Sequence, residues 1–292
     1  MPVSDVALPL RIGTRTLLTL RRRLVRRGLS LEEALGGGLP ALPALGEGEQ
    51  GYLVNALPAA RIEALAARHA GLKPFVRQLY RRSYARLDQE FETYLAGFSA
   101  KSRSTCRRKL RKFAEASGGA IDLRSYRSEA EIGQFYEAAR RVSAGSYQER
   151  LLDYGLPEGA GALAEMRALA RRGQARGWLL YLKGEPVSYL WAPAEGGTLL
   201  YAYLGYDPDF AELSPGIVLQ LEAMRELMAE RAFRLFDFTE GDGQHKRLFA
   251  TDGLDCADLL LLRPNAANLL AAHALTAFDK LVAAAKALKA RR

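Results

Sequence analysis

The stretch that decides the fold covers residues 177–238, GWLLYLKGEPVSYLWAPAEGGTLLYAYLGYDPDFAELSPGIVLQLEAMRELMAERAFRLFDF. Two apolar runs on either side of residues 183–185 predict a β-hairpin, and TLLYAYLGYDP predicts one further strand. SPGIVLQLEAMRELMAERA has apolar residues at helical spacing and predicts an amphipathic helix that begins near Ser214. FRLFDFTEG and CADLLLLRP then predict two short strands, the second ending at Pro264. Strands interrupted by one helix indicate an α/β fold with a mixed sheet.

Working outward, the rest of the chain alternates between strand and helix patterns. GYLVNAL, PFVRQLYRRSYARLD and AIDLRSYR are predicted strands. Asp88 is predicted to cap one long helix, QEFETYLAGFSAKSRSTCRRKLRKFAEAS, and Ser128 with Glu131 forms a predicted capping box for the next. GALAEMRALARRG is a further helix, SYQERLLDYGLP a helical or turn segment, and residues 265–292 an amphipathic helix. The segment LLTLRRRLVRR is compatible with a helix, and the segment GGGLPALPALGEGEQG is predicted to be a loop.

Composition narrows the classes of protein. The chain has 292 residues, a net charge of +9 and an isoelectric point near 9.6, so polyanions or phosphorylated ligands are favoured partners. The basic residues cluster at 21–27, 77–86 and most densely at 101–112, although each cluster is also typical of a solvated helix face. This excess of positive over negative charge is smaller than is typical of a dedicated DNA-binding protein.

The same composition predicts no metal site and a cytoplasmic protein. The two cysteines lie far apart and there are three histidines, which fits a reducing compartment better than a structural zinc site. Apolar runs are too short to span a bilayer, and the first basic cluster follows the apolar residues, which is the wrong order for a secretory signal.

Two places carry candidate chemistry. The first is the helix start Ser214-Pro215-Gly216, where Ser214 is able to cap, proline is preorganised for the first turn and glycine lets a ligand approach the backbone. An anion site and a plain helix start both fit this motif. Tyr203, which strand periodicity places on one face with Tyr201, is a candidate for lining the cleft or for packing.

The second place is the loop TEGDGQHKRLF, which collects carboxylates, an imidazole and cations within a few residues. His245 is a candidate base near neutral pH, Lys246 a candidate contact for an anion, and Glu240 or Asp242 a candidate partner for an amine. A solvated turn between two strands is the alternative.

Residues 95–264 resemble the GNAT-type acetyltransferase domain of cellulose-biosynthesis-related proteins. The resemblance rests on two motifs together, the unit strand–YDP–SPG–helix and the loop DF-x-x-G-D-x-x-x-K. That domain is similar to the Fem-type peptidyltransferases. The resemblance implies a bent mixed sheet and an acyl donor whose pyrophosphate meets the helix start at Ser214, Gly216, Ile217 and Val218. The usual Q/R-x-x-G-x-G/A signature is not intact, as in Fem-type relatives, which use aminoacyl-tRNA. His245 stands where relatives commonly have tyrosine.

These observations predict an acyltransferase that moves an acyl group from acyl-CoA to a primary amine, with Glu240 as first and His245 as second candidate base. Two alternatives stay open: an aminoacyl-tRNA-dependent transferase that uses the basic segment 101–112, and a non-catalytic binding module. The predicted organisation is a possible partial GNAT-like lobe in residues 1–94, the acyltransferase domain in residues 95–264 and a C-terminal helix in residues 265–292.

Overall fold

The computed structural model describes residues 3–12, 15–145, 155–241 and 243–290. The chain separates into two compact units, one formed by Ser83–Gly253 and the other by Met1–Arg82 together with Leu254–Arg292. All the residues predicted for the site belong to the first of these units.

The unit Ser83–Gly253 is built on a mixed sheet with helices. Its strands are β5 (Asp122–Tyr126), β6 (Ala175–Leu182), β7 (Glu185–Glu195), β8 (Thr198–Leu200), β9 (Tyr203–Tyr206) and β10 (Leu235–Asp237), together with the end of β4 (Lys73–Arg86). The hairpin of β6 and β7 is antiparallel, β5 adds to β6, and β10 lies parallel to β8 and antiparallel to the end of β4. The α/β fold with a mixed sheet is thereby confirmed.

The helices of this unit are α3 (Phe91–Ala96), α4 (Ala100–Ala116), α5 (Glu129–Gly145), α6 (Ala160–Arg171), α7 (Pro215–Glu230) and α8 (Gln244–Phe249). The predicted capping box of α5 forms, because the Ser128 hydroxyl accepts from the Glu131 N–H while the Glu131 carboxylate accepts from the Ser128 N–H. The segment predicted from residues 146–157 lies largely outside the described residues.

Two apolar clusters flank the sheet. One is centred on α7 and includes Trp178, while the other packs α5 and α6 against the opposite face and includes Trp191. The alternation of strand side chains sends neighbouring residues of β6 into different clusters, so both faces of this sheet are covered. β6 is accordingly buried along its whole length.

The sheet opens next to the start of α7, and this opening positions the candidate site. β8 pairs with β10 from Thr198 to Leu200, and the Tyr201 N–H still donates to the Asp237 carbonyl at 2.8 Å. Beyond that bond the two strands part. β9 pairs with β7, whereas the Phe238 N–H turns to the Ser83 carbonyl. TLLYAYLGYDP therefore forms two short strands instead of the single predicted one.

The unit formed by the two chain ends contains β1 (Val3–Ile12), β2 (Arg15–Gly28), β3 (Gly51–Pro58) and β11 (Asp252–Leu262), with most of β4. β1 and β2 are antiparallel, β2 and β3 parallel, and β3 and β11 antiparallel. Its helices are α1 (Leu31–Leu35), α2 (Ile62–Arg68) and α9 (Ala266–Ala290). The predicted partial GNAT-like lobe stays a prediction.

Three local predictions are corrected. The segment LLTLRRRLVRR is strand β2, because pairing on both sides outweighs its helical propensity. The long helix predicted from Asp88 breaks into α3 and α4, since Gly97 ends the first and the Ser99 hydroxyl caps the second by accepting from the Ser102 N–H. The polar loop after β10 contains the short helix α8.

Candidate functional site

A cavity of about 370 Å³ lies where β9 and β10 part. Its wall is formed by Tyr201, Leu204, Tyr206, Ala211, Ser214, Pro215, Gly216, Ile217 and His245. The strand end, the start of α7 and the start of α8 thus converge on one hollow. Its size suits part of a small-molecule ligand, because ligand pockets usually measure about 300–1,000 Å³.

The start of α7 offers less to an anion than the sequence predicts. Ser214 adopts a left-handed conformation with φ 54° and its hydroxyl makes no capping bond, so the predicted side-chain cap does not form. The N–H groups of Ile217 and Val218 both donate to the Ser214 carbonyl, at 3.0 and 3.1 Å. Because proline has no N–H, Gly216 carries the remaining donor of the first turn.

Gly216 is a glycine of this wall at which a side chain would be tightly packed. A β-carbon built there would lie 3.2 Å from Leu204 Cδ2 and 3.5 Å from Tyr206 Cδ1. A larger residue would therefore need the Leu204 side chain to shift. Glycine leaves this space open beside the helix backbone, and the role of Gly216 in binding an acyl donor stays a prediction.

A second cavity of about 570 Å³ adjoins the first, since Ile217 and His245 line both. Its other lining residues are Lys101, Ser102, Thr105, Cys106, Lys109, Gln244, Arg247 and Leu248. Three of them are cationic, and no carboxylate occurs among these lining residues. Residues 101, 105 and 109 fall on one face of α4 because they are four apart.

His245 is the side chain that joins the two cavities. Its ring packs between Tyr201, with ring centroids 5.7 Å apart, and Phe249, with centroids 4.7 Å apart. The Nε2 atom is buried and has no hydrogen-bond partner in the described part of the chain. Burial, together with the charges of Lys246 and Lys109, lowers the pKa of His245 to about 4. The imidazole is therefore neutral at pH 7 and able to accept a proton or a hydrogen bond.

Lys246 points away from the cavities and supports the turn after β10. Its ammonium donates to the Glu240 carbonyl, and burial lowers its pKa while the charges of Asp237 and Glu240 oppose that shift. Asp237 is fully buried and accepts from the Thr239 N–H at 2.7 Å. Lys246 thus closes the turn that precedes α8, and this turn sets the position of His245.

The remaining described residues that the sequence predicts for the site are not among the lining residues of these two cavities. The Glu240 side chain is exposed and does not line either cavity, Val218 is buried in the core, and Asp242 lies outside the described residues. Tyr203 packs with the cluster around α5, whereas Tyr201 packs with the cluster around α7. The prediction that the two tyrosines share a face is wrong, because the strand is interrupted between them.

Several lining residues were not singled out from the sequence as site residues. Strand periodicity marks Tyr201 only as a neighbour of Tyr203, Tyr206 carries no local signal of its own, and Lys109 stands within the basic segment 101–112. The four-residue spacing of Lys101, Thr105 and Lys109 is a signal for a shared helix face, but it does not say what that face meets.

The described residues contain no group of three or more His, Cys, Asp or Glu side chains arranged to hold a metal ion. Among them there is likewise no helix with the length and apolar character needed to cross a membrane.

The mixed sheet and the opening beside α7 form a GNAT-like acyltransferase fold. The chain belongs to the acetyltransferase (GNAT) domain family, because the model of that family matches residues 100–247. This range contains α4, the opening and most of α8. None of the curated proteins compared with the chain matches it in sequence.

Solved structures share the fold at low identity. The C-terminal domain of a candidate lysylphosphatidylglycerol synthetase from Agrobacterium fabrum has a TM-score of 0.54 and 14% identity, with 78% of this chain and 71% of that chain covered. FemX has a TM-score of 0.53 and 14% identity over 74% and 72% of the two chains. L-PGS from Bacillus licheniformis has a TM-score of 0.50 and 14% identity over 78% and 72%. At this identity the likeness concerns the fold alone.

Proposed function

We propose that the protein transfers an acyl group from acyl-CoA to a primary amine. The observation that carries the proposal is the pair of adjoining cavities that share Ile217 and His245. The first cavity opens at the parted strands and has no Lys, Arg, Asp or Glu among its lining residues, whereas Lys101, Lys109 and Arg247 line the other. Acyl-CoA has an uncharged acyl thioester at one end and negatively charged phosphates at the other. These two ends would suit the first and the second cavity, respectively.

The phosphates would lie in the cation-lined cavity. Lys101, Lys109 and Arg247 approach it from two helices, and charged contacts to phosphate are stronger than neutral hydrogen bonds. The Gly216 N–H borders the first cavity, next to Ile217, which lines both, so it would meet the donor at the junction of the two cavities. The weak anion site at Ser214–Val218 is thereby supplemented from α4 and α8.

The reaction would take place beside His245. The amine nitrogen attacks the thioester carbonyl carbon, the C–S bond breaks, and the amine proton finally passes to the thiolate of coenzyme A. The neutral His245 imidazole lines both cavities and would accept a hydrogen bond from the amine and orient it. Its Nε2 has no partner in the described residues but is buried, so the ring would have to turn for this atom to meet the amine. Since its pKa of about 4 makes it a weak base, orientation of the reactants would supply most of the rate enhancement. Glu240 remains a candidate base that would have to reach the amine from outside the cavities.

A second candidate function is transfer from aminoacyl-tRNA, and one observation favours it. Another face of α4 forms a third cavity of about 320 Å³, lined by Ala100, Arg103, Ser104, Arg107, Arg108 and Arg111. Arginines that extend beyond the first two cavities would suit a long phosphate backbone better than a single nucleotide. In this case the 3′ end of the tRNA would occupy the opening.

Calorimetric titration with coenzyme A, acetyl-CoA and longer acyl-CoA tests the leading proposal. Binding should be lost in Lys109→Gln/Arg247→Gln and retained in Arg108→Gln/Arg111→Gln, which removes the same charge from the third cavity. Failure of every acyl-CoA to bind the wild-type protein would refute the acyl-CoA proposal.

Titration with aminoacyl-tRNA at several salt concentrations tests the second candidate. The reverse pattern is expected there, with loss in Arg108→Gln/Arg111→Gln and a steep decrease of affinity with salt. A protein that binds neither donor would be a non-catalytic module.

A further inference from the structure

The ribbon formed by β1 and β2 is a surface that the proposed function does not use. The two strands pair from Val3 with Val25 to Ile12 with Arg15. β3 pairs only with Leu24–Gly28 of β2, and β1 is an edge strand. Residues 15–23 therefore extend past β3 as a two-stranded projection, and Leu18 lies about 20 Å beyond Leu24 at roughly 3.3 Å per residue.

The projecting end exposes large apolar side chains. Leu17 and Leu18 are 59% and 56% exposed, and successive strand residues point to opposite sides, so each face of the ribbon carries one of these leucines. Nearer the body of this unit, Val6, Leu8 and Leu24 are buried against Ala272 and Leu275 of α9. The apolar character of the end is thus not explained by packing within the unit.

The ribbon is also strongly basic. Residues 3–28 contain seven arginines and one acidic residue, Asp5, which lies opposite Arg23. Arg21, Arg23 and Arg26 are exposed, whereas Arg22 is held by Asn268 and Arg27 by Glu33.

Charge is distributed unevenly over the chain as a whole. The unit formed by the two chain ends has 19 Lys and Arg against 9 Asp and Glu, and the unit Ser83–Gly253 has 23 against 24. The excess positive charge of the protein therefore resides in the unit that carries the ribbon.

We propose that the β1–β2 ribbon docks the protein onto an anionic lipid surface. Leu17 and Leu18 enter the boundary between headgroups and acyl chains, and the exposed arginines pair with lipid phosphates. Apolar residues next to basic residues are the combination that binds anionic membranes. A nucleic acid would use the arginines but would leave the two leucines in water, so the observations favour lipid. The inference does not depend on which acyl donor the site uses.

Co-sedimentation of the full-length protein with vesicles tests the inference. The wild type should bind vesicles of phosphatidylglycerol and phosphatidylcholine and should not bind phosphatidylcholine alone. Arg21→Gln/Arg23→Gln should weaken binding about 25-fold, since one arginine near an anionic surface contributes roughly fivefold. Leu17→Ser/Leu18→Ser should weaken it about tenfold or more.

Matched variants distinguish an effect specific to the ribbon from the effect of losing any two surface charges or any exposed leucine. Arg171→Gln/Arg172→Gln removes the same charge from exposed positions at the end of α6, and Leu79→Ser removes a leucine that is 66% exposed. Both should bind vesicles as the wild type does. Equal losses in the matched and ribbon variants would overturn the proposal, as would RNA binding by the ribbon without vesicle binding.

A site-specific probe gives a second measurement. Both native cysteines are buried, so a polarity-sensitive dye should label Leu17→Cys selectively. Its emission should shift to the blue on addition of anionic vesicles. A shift that instead follows protein concentration without vesicles would indicate pairing of two copies through the ribbon and would refute lipid docking.

Discussion

Replacing Gln220 by methionine should stabilise the protein. Gln220 lies on α7 and is 0% exposed, and neither its Oε1 nor its Nε2 has a hydrogen-bond partner in the described part of the chain. Gly216, Ala223 and Leu227 lie on the same side of α7 and are buried as well. The amide therefore lies within the apolar packing between this helix and its surroundings.

The magnitude follows from desolvation of the amide. A buried polar group without a partner costs about 1–3 kcal/mol, and methionine keeps the length and flexibility of glutamine without the amide. Gln220→Met should thus raise the free energy of unfolding by about 1–3 kcal/mol. For a protein of this size each kcal/mol corresponds to roughly 2–4 °C, so a gain of 2 kcal/mol raises the melting temperature by about 4–8 °C.

Urea unfolding and thermal melts of purified protein measure the effect. Gln134→Met is the matched control, because Gln134 is an exposed residue of α5, and surface substitutions usually change stability by less than about 0.5 kcal/mol. A lower stability of Gln220→Met would refute the reasoning, since it would mean that the amide gains more from a bond, for example to an enclosed water, than it loses by burial.

Three further predictions concern the site and its support. Lys246→Ala should lower turnover and melting temperature together, because the Lys246 ammonium holds the Glu240 carbonyl; normal stability with low turnover would contradict this role. The free energy of unfolding should decrease as pH falls from about 6.5 to about 4, because the unfolded chain protonates His245 while the folded chain, with a pKa of about 4, does not. Urea titrations across that range should give a flatter profile for His245→Gln, and identical profiles would exclude His245 as the source. Arg176→Ala should cost about 1.5–3 kcal/mol in chemical denaturation, because it removes a charged hydrogen bond from the largely buried Glu230 and leaves only Arg127 near it, and a loss below 1 kcal/mol would show that the pair contributes little.

The sequence predicted the secondary structure best where burial and turn chemistry agree. The hairpin across Lys183-Gly184, the helix that begins after Ser214 and the strands on either side all form. Gly184 has φ 88° and fits the tight turn that glycine at this position indicates. The prediction failed for LLTLRRRLVRR, whose strand conformation depends on pairing with residues distant in the sequence.

Within the candidate site, the residue types and the helix start were visible in the sequence, and so was the family resemblance. Local patterns indicated that Gly216 and His245 belong to polar or strained segments, because backbone freedom and charge density are encoded within a few residues. They could not reveal that both border one cavity, since 29 positions and the intervening strand β10 separate them.

Tertiary structure decided which side chains face that cavity. The parting of β9 and β10 sends Tyr201 and Tyr203 into different clusters, although periodicity alone placed them on one face. The Lys246 ammonium lies at the Glu240 carbonyl, and α4 contributes Lys101 and Lys109 to the cavity that His245 also lines. Local propensity therefore determined most of the helices and strands, but the functional surface depends on long-range packing, which brings together residues that no short pattern connects.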